Sequence, residues 1–291
     1  MEFDFWIVRT TITELGDPTS RRSGDSRKIL SIHYLVAIPV YNESNHVVDV
    51  LRRTRQYADN ILAIDDGSTD DTPQLLQKFP GIATIRHQTN QGYGQSLIDA
   101  FQYSIDHGFD SMITMDCDDQ HEPAAIPDFV QAMADDNADI ISGSRYLTSM
   151  DDNDAPPEDR RSINVRITRM LNERLGLSIT DAFCGFKAYR VSALAKLSIT
   201  EPGYAMPMQF WPQVVNRGLV VRELPIRLVY NDPNRHFGGE LDDPTIRHEH
   251  YLSVFEKEMK RLKNLQPSKP NKSASGCSKK ADHSQHGCCP C

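Results

Sequence analysis

Short apolar runs alternate with segments of helical periodicity over residues 34–144, and this alternation constrains the fold of the chain more than any other feature. The first run, YLVAIPV at Tyr34–Val40, is apolar throughout, which is typical of a strand buried on both faces. Four more runs predict strands, at Ile61–Ile64, Ile82–Arg86, Ser111–Met115 and Asp139–Ser142. The segments between them predict helices, at Ser44–Tyr57, Pro73–Lys78, Gln95–His107 and Ile126–Ala134. Such alternation predicts an α/β fold, with a mostly parallel central sheet and helices on both faces.

The remainder of the chain predicts a second half and two terminal segments. Residues 148–159 are acidic and contain prolines, which favours a loop, and a basic amphipathic helix follows at Arg160–Leu175. A helix with two short strands is predicted within residues 206–229, and a last helix at His248–Leu265. The predicted organisation is an N-terminal extension (1–33), one domain (34–265) with halves at 34–147 and 148–265, and a disordered tail that contains Cys and His (266–291).

Composition excludes several classes of protein. The 291 residues, 39% of them apolar, suffice for a sizeable core. Lys and Arg number 32 against 40 Asp and Glu, and the net charge of −8 disfavours general binding to nucleic acid. The sequence has no run of 18 apolar residues and no signal-peptide pattern, and its six cysteines are too few for a disulfide framework. We therefore expect a cytoplasmic protein without a membrane-spanning helix.

Acidic residues follow three of the predicted strands at the point where each strand ends. The first strand leads into Pro39–Glu43 (PVYNE), the second into Asp65–Ser68 (DDGS) and the fourth into Asp116–His121 (DCDDQH). Parallel strands place their carboxyl ends at one edge of the sheet, where ligands bind in folds of this class. Any one of these loops alone is well explained as a polar helix cap, but three together indicate a binding site.

Asp116 and Asp118 are the most specific feature of this predicted site. Two carboxylates placed two residues apart after a strand can hold a hard divalent cation, which takes oxygen ligands and keeps open positions for phosphate groups. Without a cation, clustered acids repel one another, which raises their pKa values. The sequence therefore predicts a Mg²⁺ or Mn²⁺ site that carries a diphosphate.

Four longer motifs follow one another along the chain: VAIPVYNE at Val36–Glu43, IDDGSTDDT at Ile64–Thr72, NQGYG at Asn90–Gly94 and MDCDDQHEP at Met115–Pro123. They stand in the order found in family-2 glycosyltransferases, which the chain resembles over about residues 34–240. Three further segments are most similar to dolichyl-phosphate mannose synthases and bacterial polyprenyl-phosphate glycosyltransferases: Gly143–Tyr146, Arg160–Asn164 and Asp181–Arg190. The resemblance implies a GT-A type fold with a Rossmann-like nucleotide-binding half. It also implies a nucleotide-sugar donor, such as GDP-mannose or UDP-glucose, and a polyprenyl phosphate acceptor.

The resemblance further implies roles for the residues that match its motifs. The nucleotide-sugar-binding residues would be Pro39, Tyr41, Glu43, Ile64, Asp65, Asp66, Asp116, Cys117 and Arg235. The metal ligands would be Asp116, Asp118 and Gln120. The acceptor-phosphate ligands would be Arg160, Arg161 and Asn164, and the catalytic residues would be Asp118, Arg145 and Asp181. The family often has a Lys a few residues after its counterpart of Arg235, and this chain departs from that pattern with Gly239–Asp243 (GELDD).

The charges of the leaving diphosphate and of the acceptor determine the predicted mechanism. Cleavage of the glycosyl–phosphate bond of a nucleotide-sugar leaves negative charge on the diphosphate, which a metal ion and arginine side chains stabilise. The acceptor attacks from the opposite face and inverts the anomeric centre. A phosphate monoester needs no strong base, since its second pKa is about 6 and it is anionic near neutral pH. A hydroxyl acceptor needs a carboxylate base, for which Asp181 is the candidate, although a structural cap fits that position at least as well.

Other functions stay open at this point. A family-2 glycosyltransferase that acts on a glycan or protein hydroxyl differs only in its acceptor. A nucleotidyltransferase would need a Gly-rich loop with Arg or Lys directly after the first strand, where this chain has Pro39–Glu43. A non-catalytic protein that binds a nucleotide-sugar or a metal would share the site without the transfer. The basic helix at Arg160–Leu175 is either a solvated face or a peripheral contact with the cytoplasmic face of a membrane.

Overall fold

The computed structural model describes residues 32–118, 121–135, 138–147, 158–227 and 239–265, except for the side chain of Asp159. The strands in these ranges are β1 (Tyr34–Val40), β2 (Ile61–Asp65), β3 (Ala83–Arg86), β4 (Ser111–Thr114), β5 (Ile140–Ser144), β6 (Lys187–Arg190) and β7 (Val221–Pro225). The helices are α1 (Val47–Thr54), α2 (Thr72–Lys78), α3 (Tyr93–Asp106), α4 (Ile126–Ala134), α5 (Glu158–Leu175), α6 (Val191–Leu194), α7 (Met206–Asn216) and α8 (Pro244–Leu265).

The strands form one sheet in the order β3-β2-β1-β4-β6-β5-β7. β1 pairs in parallel with β2 and β4, β2 with β3, and β5 with β7. Within the described ranges only β6 runs antiparallel to its neighbours, β4 and β5. The carboxyl ends of β1, β2, β4 and β5 therefore meet at one edge. β6 begins at the same edge, where Lys187 pairs with Thr114 and Ser142.

Both faces of the sheet are covered, which explains why β1 is apolar throughout. On one face, Leu35 and Ala37 belong to a core with residues of α3, α5, α7 and α8. On the other face, Val36 and Ile38 belong to a core with residues of α1, α2 and α4. Successive side chains of a strand point to opposite faces, so both sets of β1 side chains meet a helical layer. The predicted α/β class, with a mostly parallel sheet and helices on both faces, is confirmed.

Most predicted elements agree with the structure to within a few residues at each end. β6 and α6 were not predicted, and α8 begins at Pro244 instead of His248. Of the two strands expected within residues 206–229, the described part of that segment contains β7. Residues 1–31, 148–157 and 266–291 lie outside the described residues, so the predicted domain boundaries stay a prediction. Among the helices that the structure describes, none combines the length and the hydropathy that a membrane span requires.

Candidate functional site

The carboxyl ends of β1, β2, β4 and β5 border a cavity of about 720 Å³, a volume typical of small-molecule sites. The first half of the chain lines it with Pro39, Val40, Tyr41, Glu43, Asp66, Asn90, Gly92, Tyr93, Ser96, Asp116, Cys117, Asp118, Arg145 and Tyr146. The second half lines it with Arg160, Ile163, Asn164, Phe183, Tyr204, Pro207, Arg247 and Tyr251. The cavity therefore lies between the loops at the sheet edge and the helices α5, α7 and α8.

The loops after β1 and β2 are held together by hydrogen bonds. Asn42 adopts a left-handed backbone conformation, with φ 55°, which Asn tolerates better than most residues. Its side-chain oxygen accepts from the Thr69 N–H at 2.8 Å, and its own N–H donates to Ser68 Oγ at 2.9 Å. In this turn Tyr41 is 46% exposed and Glu43 is buried, and both line the cavity. The loop therefore presents an aromatic ring and a carboxylate to a ligand.

Asp66 anchors the loop between β3 and α3. The N–H groups of Gln91 and Gly92 donate to its two oxygens at 2.8 and 2.9 Å, and His87 Nδ1 lies 2.6 Å from Oδ1. The other ring nitrogen of His87 lies 2.8 Å from Asp99 Oδ2. Burial opposes the charge on His87, but the two carboxylates outweigh burial and raise its pKa. Asp66 thus lines the cavity and also fixes the start of α3.

Asp116 follows the end of β4 after one intervening residue, Met115, and its side chain is 30% exposed. The hydroxyl of Tyr93 donates to Oδ1 of Asp116 at 3.0 Å. The other oxygen packs against Gly185, where an added Cβ would lie 2.3 Å from Oδ2. Asp118 also lines the cavity. Two carboxylates, those of Asp116 and Asp118, therefore line the cavity. Both oxygens of Asp116 are in contact with the protein, one with Tyr93 and the other with Gly185.

The donors at Asp116 and Asp118 fit a hard divalent cation. Mg²⁺ is usually bound by one or two carboxylates, with water and substrate phosphates completing its coordination, and Mn²⁺ prefers similar oxygen ligands. The described residues contain no group of three or more His, Cys, Asp and Glu side chains placed to hold a metal without further ligands. Gln120, the predicted third ligand, lies outside the described residues. A cation at these two carboxylates would therefore leave coordination positions for a diphosphate.

Arg145, whose side chain is 17% exposed, and the fully buried Asp181 form an ion pair at the wall of the cavity. Nε and Nη2 of Arg145 donate to the two oxygens of Asp181 at 2.6 and 2.8 Å, and Asn164 Nδ2 donates to Oδ1 at 2.8 Å. Burial would raise the pKa of Asp181, but Arg145 and Asn164 outweigh burial and lower it to about 2. A carboxylate with so low a pKa is a weak base near neutral pH. Asp181 therefore acts in this geometry as the counter-charge that holds Arg145.

Comparisons with known proteins identify the family. The profile described as Glycosyl transferase family 2 matches residues 35–198, more than half of the 291 residues. The chain belongs to this family. Its relatives include the undecaprenyl-phosphate mannosyltransferase of Micrococcus luteus, 28% identical over 204 residues, which cover 67% of this chain and 83% of that protein. The polyprenol monophosphomannose synthase of Mycolicibacterium smegmatis is 29% identical over 203 residues, which cover 66% of this chain and 76% of that protein.

A third relative carries a different sugar in its name. The UDP-N-acetylglucosamine–dolichyl-phosphate N-acetylglucosaminyltransferase of Methanococcus voltae is 25% identical over 218 residues, covering 68% of this chain and 86% of that protein. Among solved structures, the chain is similar to glucosyl-3-phosphoglycerate synthase from Mycobacterium tuberculosis in complex with UDP. The TM-score is 0.60 and the identity 16%, over 78% of this chain and 80% of that one, a likeness that shows the GT-A fold alone. That synthase has also been crystallised with Mg²⁺ and UDP.

Most of the predicted site residues of this family-2 glycosyltransferase line the cavity. They are Pro39, Tyr41, Glu43, Asp66, Asp116, Cys117, Asp118, Arg145, Arg160 and Asn164. Two others lie outside the described residues, Gln120 and Arg235.

Four predicted site residues are described but do not belong to the lining. Ile64 and Asp65 are fully buried within the end of β2. Asp65 accepts a hydrogen bond from the Ser68 N–H at 2.9 Å, which supports the loop above it. Arg161 is exposed on α5, next to the lining residue Arg160, and Asp181 is fully buried beside Arg145. Ile64, Asp65 and Asp181 thus lie buried behind the cavity, whereas Arg161 lies exposed outside its lining.

Some residues of the cavity were not predicted. Tyr93 belongs to the NQGYG motif, from which no site residue was predicted, and its ring stacks on Tyr204 with the centroids 5.8 Å apart. Arg247 and Tyr251 lie on α8, after the segment that resembles the family. Their spacing of four residues predicts one shared helix face. Which way that face points depends on tertiary packing, which no local pattern reveals.

Proposed function

We propose that this chain transfers a sugar, mannose or glucose, from a nucleotide-sugar to a polyprenyl (dolichyl-type) phosphate, in a metal-dependent reaction that inverts the anomeric centre. The observation that carries the proposal is one cavity lined both by the carboxylates after β4 and by arginines from the β5 and α5 side. Two of the relatives compared above are named as transferases with undecaprenyl phosphate or dolichyl phosphate in their names, and the third is named a polyprenol monophosphomannose synthase, which supports this class of acceptor.

The donor is assigned to the sheet-edge side of the cavity. Tyr41 offers an exposed ring against which a base can stack, and Glu43 and Asp66 offer carboxylates to the hydrogen-bond donors of a base or ribose. Both guanine and uracil carry such donors, so GDP-mannose and UDP-glucose are the candidate donors. Asp116 and Asp118 would hold Mg²⁺ or Mn²⁺, which supplies positive charge to the leaving diphosphate when bound.

The acceptor is assigned to the side of Arg145, Arg160 and Asn164. A phosphate monoester carries close to two negative charges at pH 7, and guanidinium groups bind such oxygens through charge-assisted hydrogen bonds. The lowered pKa of Asp181 and its hydrogen bonds to Arg145 favour a phosphate acceptor over a hydroxyl acceptor. With its pKa near 2 and both oxygens bonded to Arg145, Asp181 is poorly suited to remove a proton from a hydroxyl group.

A lipid phosphate requires that the enzyme reach a membrane surface. The exposed arginines of α5 would attract an anionic lipid surface, and we assign peripheral contact at the cytoplasmic face to this helix.

The test is incubation of the purified protein with radiolabelled GDP-mannose or UDP-glucose and polyprenyl phosphate in the presence of Mn²⁺, followed by organic extraction. We expect label in the organic phase, none with unphosphorylated polyprenol, and none after chelation of the metal or in the Asp116→Asn/Asp118→Asn double variant. Label recovered only in water-soluble glycan or protein would assign a hydroxyl acceptor instead. Tight donor binding without turnover on any acceptor would assign a non-catalytic nucleotide-sugar-binding protein.

A further inference from the structure

His87 directly follows β3 and is buried between two carboxylates, one of which lines the cavity. Its Nδ1 lies 2.6 Å from Oδ1 of Asp66, and its Nε2 lies 2.8 Å from Oδ2 of Asp99 on α3. The side chains of His87 and Asp66 are each 6% exposed, and that of Asp99 is 31% exposed. Each ring nitrogen therefore has a carboxylate oxygen within hydrogen-bond distance, and the contact with Asp66 is shielded from water.

The two contacts of the His87 ring favour a positively charged imidazole. A neutral imidazole has one N–H donor and one acceptor nitrogen, whereas the imidazolium ion has two donors. A neutral ring would turn its lone pair towards one of the two carboxylates, unless that carboxylate carried the proton instead. Burial opposes the charge on His87, but its hydrogen bonds and charge interactions with Asp66 and Asp99 outweigh burial and raise its pKa. The geometry therefore supports an imidazolium that compensates the buried charge of Asp66.

The charged groups around His87 come from three parts of the fold. Asp66 lies in the loop after β2, and Asp99 lies on α3. The backbone N–H of His87 donates to the carbonyl oxygen of Asp65, the last residue of β2, at 2.9 Å. The carboxylate of Asp65 pairs with the neighbour of His87 in β3, since Oδ2 lies 3.3 Å from Nε of Arg86. The His87 ring is therefore held by Asp66 and Asp99, while Asp65 is paired elsewhere.

Asp66 connects His87 to the cavity. Besides the contact with His87, Oδ1 of Asp66 accepts from the Gln91 N–H at 2.8 Å, and Oδ2 accepts from the Gly92 N–H at 2.9 Å. A carboxylate has about four acceptor positions, so these three contacts from the described residues leave one on Oδ2. Asp66 and Gly92 both line the cavity. His87 therefore supports a carboxylate that can accept from a ligand, and through it the loop that leads into α3.

We propose that His87, held as an imidazolium between Asp66 and Asp99, is a positioning residue for the nucleotide of the donor. It orients Asp66 to accept a hydrogen bond from an N–H of the base or a hydroxyl of the ribose, which couples nucleotide binding to the proton on His87. The inference rests on the proposed function, because it assigns the support of the same nucleotide site. Loss of the proton leaves one N–H for two carboxylates, so one of the two contacts becomes repulsive.

Calorimetry with UDP or GDP and Mg²⁺ tests this coupling without turnover. The pKa of His87 is raised from 6.5, so the imidazolium is present below pH 6.5 and is lost as the pH rises through the raised value. We expect the wild-type affinity for the nucleotide to be constant below pH 6.5 and to fall above it.

Two glutamine variants accompany the wild type. Gln is uncharged and has its donors on a single nitrogen, so His87→Gln should bind the nucleotide roughly tenfold more weakly near pH 6.5, the loss of about one hydrogen bond to a charged group. Its affinity should also lack the pH dependence of the wild type. His107→Gln is the matched control, because it makes the same change at an exposed position that caps the other end of α3. It should reproduce the wild-type affinity and its pH dependence.

Asp99→Asn separates the hydrogen bond to Asp66 from the charge of the ring. With an amide in place of this carboxylate, a neutral ring can donate from Nδ1 to Asp66 and accept at Nε2 from the amide nitrogen. We expect Asp99→Asn to bind the nucleotide as tightly as the wild type at pH 6.5 and to keep this affinity at about pH 9, where the wild type has lost part of its own. A loss in Asp99→Asn equal to that in His87→Gln would overturn the proposal, because the ring would then not act by orienting Asp66.

Nuclear magnetic resonance of the ring nitrogens measures the charge of His87 directly. Proton–nitrogen correlation spectra, assigned by the signal that His87→Gln lacks, give its pKa with and without nucleotide. Because coupling between two binding events is reciprocal, bound nucleotide should raise this pKa further. A neutral ring at pH 6.5, or a pKa that nucleotide leaves unchanged, would overturn the proposal in favour of a structural role.

The binding data and the transfer assay fail independently. If the nucleotide binds with the expected pH dependence but no sugar is transferred to any acceptor, His87 positions a nucleotide and the proposed function is wrong. If sugar is transferred to polyprenyl phosphate but nucleotide affinity is the same at every pH, the proposed function stands and the assignment of His87 is wrong.

Discussion

At the scale of single residues, the position of the Asp116 carboxylate depends on residue 185 having no side chain. An added Cβ at Gly185 would lie 2.3 Å from Oδ2 and 2.7 Å from Cγ of Asp116, closer than real Cβ contacts. We expect Gly185→Ala to displace this carboxylate and to lower kcat by roughly 10²-fold, the order of loss that a misplacement of about 1 Å produces. Steady-state kinetics measure the effect, with circular dichroism as the check on folding. Gly203→Ala is the matched control, because a Cβ there meets only the flexible end of Glu201, at 3.3 Å. A wild-type kcat in both variants would contradict a role for Asp116 at the reacting diphosphate.

The hydroxyl of Tyr93 holds the opposite oxygen of Asp116. Tyr93→Phe removes this donor and keeps the ring that stacks on Tyr204. A hydrogen bond contributes about 0.5–1.5 kcal/mol net, so we expect Mn²⁺ to bind roughly 2–10-fold more weakly in the presence of UDP or GDP. Titration followed by electron paramagnetic resonance measures the free Mn²⁺. Tyr103→Phe, a change of the same kind on the same helix, should leave the Mn²⁺ affinity unaltered. Equal Mn²⁺ affinity in the wild type, Tyr93→Phe and Tyr103→Phe would show that the Tyr93 hydroxyl does not support the metal site.

At the scale of secondary-structure elements, the pair of Arg145 and Asp181 joins the end of β5 to the segment before β6, and Asn164 extends the link to α5. Asp181→Asn leaves the largely buried guanidinium of Arg145 without its counter-charge; breaking a fully buried pair in this way costs about 3–5 kcal/mol, and the 17% exposure of Arg145 places the expected cost at the lower end, about 3 kcal/mol. We expect the free energy of unfolding in urea at pH 7 to fall by about that amount. Arg174→Gln, which breaks an exposed pair, should cost less than about 1 kcal/mol.

The pH dependence of stability tests the same pair. The folded-state pKa of Asp181 is about 2, below its ordinary value of 3.8, so the pair contributes stability that is present above pH 3.8 and lost as the pH falls through 2. The difference in unfolding free energy between wild type and Asp181→Asn should therefore shrink over this range. A variant that keeps wild-type stability at every pH but loses all transfer would instead support Asp181 as a general base.

The elements also show what the sequence could and could not predict. The strands with continuous apolar runs were predicted, and because parallel strands share one carboxyl edge, the meeting of Asp66 with Asp116 at one cavity followed from their positions after β2 and β4. β6 was not predicted, since its four residues begin with Lys187 and end with Arg190 and its pairing is with strands far away in the chain. Arg247 was missed for a related reason. Its approach to the cavity depends on how α8 packs, and its own neighbours in sequence carry no sign of that packing.

At the scale of the whole molecule, the cavity lies where the sheet edge meets the layer of α5, α7 and α8, so local charge at the site differs from the charge of the chain. The net charge of −8 predicts that the chain has no broad basic surface, but it contains no information on the arginines that two helices bring to one cavity. The acids that would hold a metal follow the end of β4, whereas the cations assigned to the acceptor come from the end of β5 (Arg145) and from the helical layer (Arg160). A ligand that fills the cavity would contact both layers at once.

Binding in the cavity should therefore stabilise the whole fold. A ligand that binds only the folded state adds about 2.7 kcal/mol at one hundred times its Kd, which raises Tm by about 5–10 °C for a domain of this size. We expect UDP or GDP with Mn²⁺ to produce such a shift in a thermal-denaturation panel of nucleoside diphosphates, and the base with the larger shift to be that of the donor. The Asp116→Asn/Asp118→Asn double variant should lose the part of the shift that requires Mn²⁺, whereas Arg174→Gln should keep it, because Arg174 lies outside the cavity lining. An identical shift with and without Mn²⁺ in the wild type would contradict metal-dependent binding of the diphosphate.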